Sequence, residues 1–254
     1  MDEVLPQIVG DIVTIRAEVE LSEELEEVAQ FFEDRMGRYS SMIRVILKKN
    51  NFSKRFQRFC TQSLKVFPMR DYLRGMDGDP VNAIGIRADE SRARAKAVPR
   101  EYSSTYDCDV WRPILDWTLD DVIAIHHRHN VKPCSLYLDG MSRVGCWPCV
   151  FARKSEIRHI AENDPDRIDL LEDLERVITG RANVKKDDLN RDRLSRPLAW
   201  FSTKHTGESL PIREAVKWSR TKHGGKQFEM FAAPARETGC MRWGLCDVGS
   251  TRAE

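Results

Sequence analysis

A chain of 254 residues is long enough for one large domain or two small ones. With 41% hydrophobic and 32% charged residues it has the balance of a soluble globular protein, and a formal net charge of +1 excludes a globally basic nucleic-acid binder, though not a local basic patch. No stretch approaches the roughly 18 apolar residues of a membrane helix. The N-terminal MDEVLPQIVG lacks a basic region followed by an apolar run, so the expected location is the cytoplasm, with no membrane contact.

Residues 11–19, DIVTIRAEV, alternate apolar and polar side chains and predict a strand. A helix follows, with Ser22 as N-cap, Leu25, Val28, Ala29 and Phe32 as its apolar stripe, and Gly37 as its stop. Residues 40–50 read as a basic helix, and 52–73 are dense in cations and aromatics. After the turn signal GDP, residues 81–87, VNAIGIR, predict a short buried strand. Thr118 and Asp121 form a capping box for the helix DDVIAIHHRH, which stops at Asn130. Ser155 is the expected cap of another helix, and Asp164-Pro165 opens the next, with Ile168, Leu171 and Leu174 at helical spacing. Residues 180–197, polar and charged, predict a loop. Strands alternating with helices point to an α/β chain with a parallel sheet.

Seven cysteines are an odd number, and in a reducing compartment they are ligands, nucleophiles or core residues more often than disulfides. Cys146-Trp147-Pro148-Cys149 is a C-x-x-C, a spacing shared by zinc sites, iron–sulfur sites and thiol–disulfide exchange. The surroundings lack the βαβ unit of a thioredoxin, so a metal site fits better, and it needs about four ligands. Cys60 is flanked by Lys54, Arg55, Arg58 and Lys65, which favour a thiolate or an anionic ligand. Cys240 and Cys246 lie in the tail GCMRWGLCD and suit a mobile nucleophile, a late-arriving ligand or free thiols equally well. His126, His127 and His129 read as a solvated helix end. Gly224-Gly225-Lys226 lacks the preceding strand and following hydroxyl of a phosphate loop.

The segment GIRADESRAR follows the predicted strand and carries Arg87, Glu90, Ser91 and Arg94. Strand ends of open α/β sheets bind ligands, and guanidiniums with a hydroxyl suit phosphate or sulfate. The same residues also suit a solvated, charged helix start.

In this order, RFCTQSLKVFP, GIRADESRAR, RPILDWTLDDVIAIHHRHNVKP and LYLDGMSRVGCWPC resemble the phosphoadenosine phosphosulfate reductase family over residues 58–149. The family spans reductases of adenylated sulfate and relatives that adenylate or transfer sulfur, including DNA phosphorothioation enzymes, and many phage proteins are similar. The resemblance implies a doubly wound parallel sheet of the adenine nucleotide hydrolase kind, forming a nucleotide-binding core over residues 1–130. A mainly helical, cysteine-containing region over 131–254 would follow. It implies that Lys65, Arg87, Glu90, Ser91 and Arg94 lie at a sulfonucleotide or ATP. It also implies a 4Fe–4S cluster held by Cys60, Cys146 and Cys149, with Cys240 as fourth ligand and Cys134 or Cys246 as alternatives; zinc is the alternative metal. A tail thiolate, Cys246 ahead of Cys240, would attack sulfur, and a thiol reductant protein would regenerate it.

The chain departs from the family pattern in three places. The S-G-G-x-D-S phosphate loop is absent, so Met1 is expected to lie inside the ancestral domain, as in a truncated product or one half of a split enzyme in a hetero-oligomer. Cys60 is followed by Thr61 where the cluster-bearing reductases have adjacent cysteines. The tail reads Trp243-Gly244-Leu245-Cys246 in place of Cys-Gly-Leu-His. The competing expectation is a non-catalytic module with a structural zinc or cluster, contacting nucleic acid or protein, as a homo- or hetero-oligomer, through the basic segment Arg38 to Lys65.

Overall fold

The computed structural model describes residues 13–54, 57–139, 141, 144–189, 191–192, 194–203 and 207–221. In chain order its helices are α1 (Glu23–Met36), α2 (Ser41–Lys49), α3 (Phe67–Arg74), α4 (Leu119–Arg128), α5 (Lys154–Asn163), α6 (Pro165–Asp188) and α7 (Ile212–Ser219). Its strands are β1 (Val81–Ala83), β2 (Arg100–Ser103), β3 (Cys108–Trp111), β4 (Phe201–Ser202) and β5 (Ser209–Leu210). A helical turn at Phe59–Thr61 and a π turn at Gln62–Val66 lead into α3. No helix among the described residues is long and apolar enough to cross a membrane.

The chain divides into two units that interrupt one another in sequence. Among the described residues, the sheet unit holds 13–16 and Lys65–Val144, and the helical unit holds Ala17–Leu64 and 145–221. The boundary expected at residue 130 falls inside the sheet unit.

In the helical unit, acidic residues in the first turn of α1 meet the positive end of the helix dipole, and Gly37 ends the helix in the left-handed conformation at φ 62°. Ser40 caps α2, its hydroxyl accepting from the Ile43 N–H, and buried Ile43, Val45, Ile46 and Leu47 precede a basic last turn of Lys48 and Lys49. Buried Arg44 ties α2 to α1, donating to Glu33 at 2.9 Å and to Glu26 at 2.5 Å, with its guanidinium 4.5 Å from the Tyr39 ring centre. The hydrogen bond from Arg44 outweighs burial and holds the Glu33 carboxyl below the usual carboxylate range. These helices share one apolar core with Ile157 and Ile160 of α5, with Leu171, Leu174 and Ile178 of α6, and with Trp200 and Ile212.

Glu175 lies on the core side of α6 and is only 5% exposed. Its carboxylate accepts the Trp200 N–H at 2.8 Å and the Ile212 N–H at 3.0 Å, joining α6 to the segment before β4 and to the start of α7. Burial pushes its pKa up to about 7; the two N–H donors oppose the shift, and Glu172 and Glu214 add to it.

The sheet unit is small. Its strands lie in the order β1-β3-β2, with β1–β3 parallel and β2–β3 antiparallel. The hairpin between β2 and β3 turns through Asp107 at φ 58°. Among the described residues the expected doubly wound parallel sheet is represented by the β1–β3 pair alone. The predicted strand 81–87 is ordered as a strand only over Val81–Ala83, and only Asn82 of those three is buried. Thr118 and Asp121 form the expected capping box on α4.

Three other expectations need correction. Residues 13–20 form no strand, because side chains satisfy their backbone: Ser41 Oγ donates to the Ala17 carbonyl at 2.6 Å and the Val19 N–H donates to the Tyr39 hydroxyl at 3.3 Å. Residues 11–12 lie outside the described residues. Arg153, not Ser155, is the N-cap of α5, with its N–H donating to Glu156 Oε2 at 2.9 Å. Residues 180–188 are helix rather than loop, since α6 runs unbroken from Asp164-Pro165 through Gly180. Tertiary contacts hold this extension: Arg181 reaches Glu24 at 3.0 Å, and the Leu198 N–H donates to Thr179 Oγ1 at 2.9 Å.

Because the Glu175 pKa of about 7 exceeds its ordinary value of 4.5, the folded state keeps a proton that the unfolded chain releases. The associated stability is fully present below about pH 4.5 and lost as pH rises through about 7. Urea titrations should lose roughly 3 kcal/mol between about pH 5 and about pH 8. Glu175→Gln should flatten that slope, and an unchanged slope would assign it to other groups.

Candidate functional site

The arginine segment sits where β1 ends. The Ile84 N–H donates to the Trp111 carbonyl and the Ala88 N–H to the Leu115 carbonyl, each at 2.8 Å, which fixes the turn beside β3. Two short 3₁₀ turns follow, Ala88–Glu90 and Arg94–Lys96. The Arg87 N–H donates to Glu90 Oε2 at 3.0 Å, and the Arg87 guanidinium reaches Asp89 at 3.1 Å. Ser91 Oγ accepts the Arg94 N–H at 3.2 Å, and the Arg94 guanidinium pairs with Glu90. Burial raises the Glu90 pKa, but the Arg87 N–H and the Arg94 guanidinium outweigh it and hold the carboxyl below its usual value.

The structure therefore gathers Arg87, Glu90, Ser91 and Arg94 into one turn, with both guanidiniums already facing carboxylates. An incoming anion must exchange with Asp89 and Glu90. Lys65 is exposed on the π turn and makes no ion pair with another described residue. Irregular helix of this kind recurs at functional sites.

The described cysteines are all free. Cys60 is half-buried on the turn Phe59–Thr61. Buried Ser53 has one hydroxyl hydrogen, shared between Cys60 Sγ at 3.1 Å and the Gln57 carbonyl at 3.2 Å. A thiolate at Cys60 would be the stronger acceptor. Cys146 is exposed and Cys149 half-buried, and Cys149 Sγ accepts the Phe151 N–H at 3.5 Å. The segment is anchored by Trp147, whose Nε1–H donates to Asp164 at 2.9 Å and whose ring meets His159 edge-on. The Arg58 guanidinium lies 5.5 Å from the centre of the Phe151 ring, and Phe59, Trp147, Val150 and Ala152 pack on the same core. Thus the stretches carrying Cys60 and Cys146/Cys149, far apart in sequence, meet in the helical unit.

Among the described residues, no three His, Cys, Asp or Glu side chains gather closely enough to hold a metal ion. Cys134 belongs to the sheet unit, and Cys108 is buried in β3. The tail cysteines Cys240 and Cys246, like Gly224-Gly225-Lys226, lie outside the described residues. His126 Nδ1 is 2.9 Å from the Val131 carbonyl oxygen at the end of α4, as a helix-end residue would be.

Two features of the helical unit were not foreseen from the sequence. Ser53, the hydrogen-bond partner of Cys60, carried no signal. Glu175 did carry one: it stands among Leu171, Leu174 and Ile178 on the apolar face of α6.

Residues 14–152 match the model of the phosphoadenosine phosphosulfate reductase domain. An uncharacterized 37.8 kDa protein of Escherichia phage 186 is 32% identical over 213 residues, which are 78% of this chain and 62% of that protein. The adenosine 5′-phosphosulfate reductase of Allochromatium vinosum is 29% identical over 93 residues, 37% of this chain and 35% of that enzyme. The same-named enzyme of Neisseria meningitidis serogroup A is 31% identical over 93 residues, 37% of each chain. The chain thus spans less than two thirds of the length of these relatives. The matched region runs from before α1 to the end of the C-x-x-C segment, takes in both the Cys60 turn and the arginine turn, and exceeds half of the sequence, so the chain belongs to the phosphoadenosine phosphosulfate reductase domain family.

Proposed function

We propose that this chain acts in a sulfonucleotide-reductase-like enzyme on a nucleotide-activated sulfur or adenylate substrate. The observation that carries the reading is the arginine turn at the C-terminal end of β1, a strand paired in parallel with β3. Ligands of doubly wound sheets bind at that edge, and we read β1–β3 as part of such a sheet. Arg87 and Arg94 exchange their carboxylate partners for the anionic group of the substrate, and Lys65 assists. Glu90 acts as a positioning residue, retaining the Arg87 N–H while Arg94 turns to the ligand. In sulfate reduction a tail thiolate, Cys246 or Cys240, attacks the sulfur atom. A sulfur–sulfur bond forms, the sulfur–oxygen bond to the nucleotide phosphate breaks, and the nucleotide leaves with the electron pair. A thiol reductant protein then supplies the electrons that free the cysteine.

The donor set suits a thiolate-bound metal centre: hydrogen-bond donors face Cys60 and Cys149, and Arg58 adds positive charge beside Phe151. Cys60, Cys146 and Cys149 would hold a 4Fe–4S cluster, with Cys240 as fourth ligand and Cys134 or Cys246 as alternatives. When bound, the cluster tunes the electrostatics of the site.

A second reading is favoured by the self-pairing of Arg87 with Asp89 and of Arg94 with Glu90. It is a non-catalytic module stabilised by zinc or a cluster, contacting a protein or nucleic acid, or serving as the partner half of a DNA sulfur-modification enzyme.

Protein purified without oxygen should absorb broadly near about 400 nm and contain matched iron and sulfide. One zinc and no colour would favour the second reading. Cys146→Ser and Cys149→Ser should each lose the metal while Cys108→Ser retains it; loss in Cys108→Ser would refute the ligand set. Arg87→Ala and Arg94→Ala should each weaken binding of adenosine 5′-phosphosulfate by about tenfold, as expected for removing one charge-assisted hydrogen bond. Unchanged affinity in both variants would remove the arginine turn from the substrate site.

A further inference from the structure

The helical unit contains an open cleft of about 820 Å³, lined by Lys49, Asn51, Gln57, Arg58, Thr61 and Gln62. Phe59 completes the wall. The volume falls in the range that encloses small-molecule ligands, about 300–1,000 Å³. None of the lining residues belongs to the arginine turn, which lies in the other unit.

The charge state of this cleft differs from that of the arginine turn. Arg87 and Arg94 are each paired with a carboxylate of their own segment. Among the described residues, Lys49 and Arg58 form no salt bridge and no carboxylate lines the cleft. The Arg58 guanidinium lies over the Phe151 ring, 5.5 Å from its centre, a cation–π contact that does not neutralise its charge. Lys49 adds a point charge at the end of α2. The remaining lining groups are three amides and one hydroxyl. Of these, Asn51 Oδ1 accepts the Phe52 N–H at 2.9 Å, leaving its amino group as a donor.

We infer that this cleft is a second anion site, and that its ligand is a phosphomonoester of nucleotide size. Arg58 offers a planar fork to two phosphate oxygens, and Lys49 neutralises the remaining charge. Gln57 and Gln62 each carry a paired donor and acceptor suited to the edge of a base, Asn51 adds an amino donor, and Thr61 presents a hydroxyl to a ribose. The volume exceeds what inorganic phosphate fills. The site stands independently of the reading of the arginine turn.

The test is calorimetric titration of the purified chain with adenosine 5′-monophosphate, using inorganic phosphate and adenosine as the separate halves of the probe. Wild type should bind the nucleotide more tightly than either half and lose affinity as salt is raised. Lys49→Ala with Arg58→Ala should weaken nucleotide binding by at least about 30-fold, the scale of two lost charge-assisted hydrogen bonds at an exposed site. Both residues are exposed, so circular dichroism should show an unchanged fold. Arg87→Ala with Arg94→Ala should leave this binding step intact. Wild-type affinity in the Lys49/Arg58 variant would overturn the assignment, as would loss of the step in the Arg87/Arg94 variant alone. Nucleotide binding that survives in the Lys49/Arg58 variant while single-stranded DNA binding is lost would overturn it in favour of a nucleic-acid surface.

Discussion

The apolar contact between two distant stretches of chain is the constraint on which the candidate chemistry depends. Ile46, Leu47 and Phe52 come from before the sheet unit, and Leu174, Ile178 and Trp200 from after it, yet they form one buried core. Phe52 and Trp200 meet with ring centres 6.0 Å apart. Burial of several such side chains stabilises this closure by about 1.5–3 kcal/mol each, far more than the Arg58–Phe151 contact at its edge contributes. The Cys60 turn and the C-x-x-C segment are brought together as a by-product. A cavity cut into this core would act on the thiols without touching them.

Electrostatics divides the molecule in a similar way. Arg44 is buried and answered by two carboxylates, so it is a structural tie. Arg87 and Arg94 are answered within their own turn, which ties that segment to itself. The cations of the cleft have no such answer among the described residues. Glu175 is the reverse case: it is buried against N–H donors with no cation paired to it among the described residues, so its charge is tolerated poorly and its pKa is raised.

What the sequence revealed followed local rules. The left-handed stop at Gly37, the Thr118–Asp121 box and the Asp164-Pro165 start depend on neighbours a few residues away, and each appears where its signal stood. The arginine turn was readable for the same reason, since Arg87, Glu90, Ser91 and Arg94 bond mainly to one another. The failures required distant partners. The segment 11–19 alternates like a strand, but in its described part the backbone is claimed by Ser41 and Tyr39. The second half of α6 has the composition of a loop, and its contacts with Glu24 and Leu198 override that preference. The approach of the Cys60 turn to the C-x-x-C segment, through Arg58 and Phe151, has no local signal, because no local pattern encodes a contact between stretches on either side of the sheet unit in sequence.

The interrupted helical unit has a consequence for how the chain is made. Residues Ala17–Leu64 leave the ribosome before the sheet strands, but the core that covers Phe32, Ile46 and Phe52 arrives only with α6, Trp200 and α7. Until Ile212 and Ala215 emerge, α1 and α2 present uncovered apolar faces, while all of Lys65–Val144 must be looped out. Closing so long a loop costs conformational entropy before any contact offsets it. Early helices in this position are candidates for chaperone capture during synthesis. The strands β1, β2 and β3 all lie within Lys65–Val144, so they can pair while the thiol-bearing unit is still incomplete.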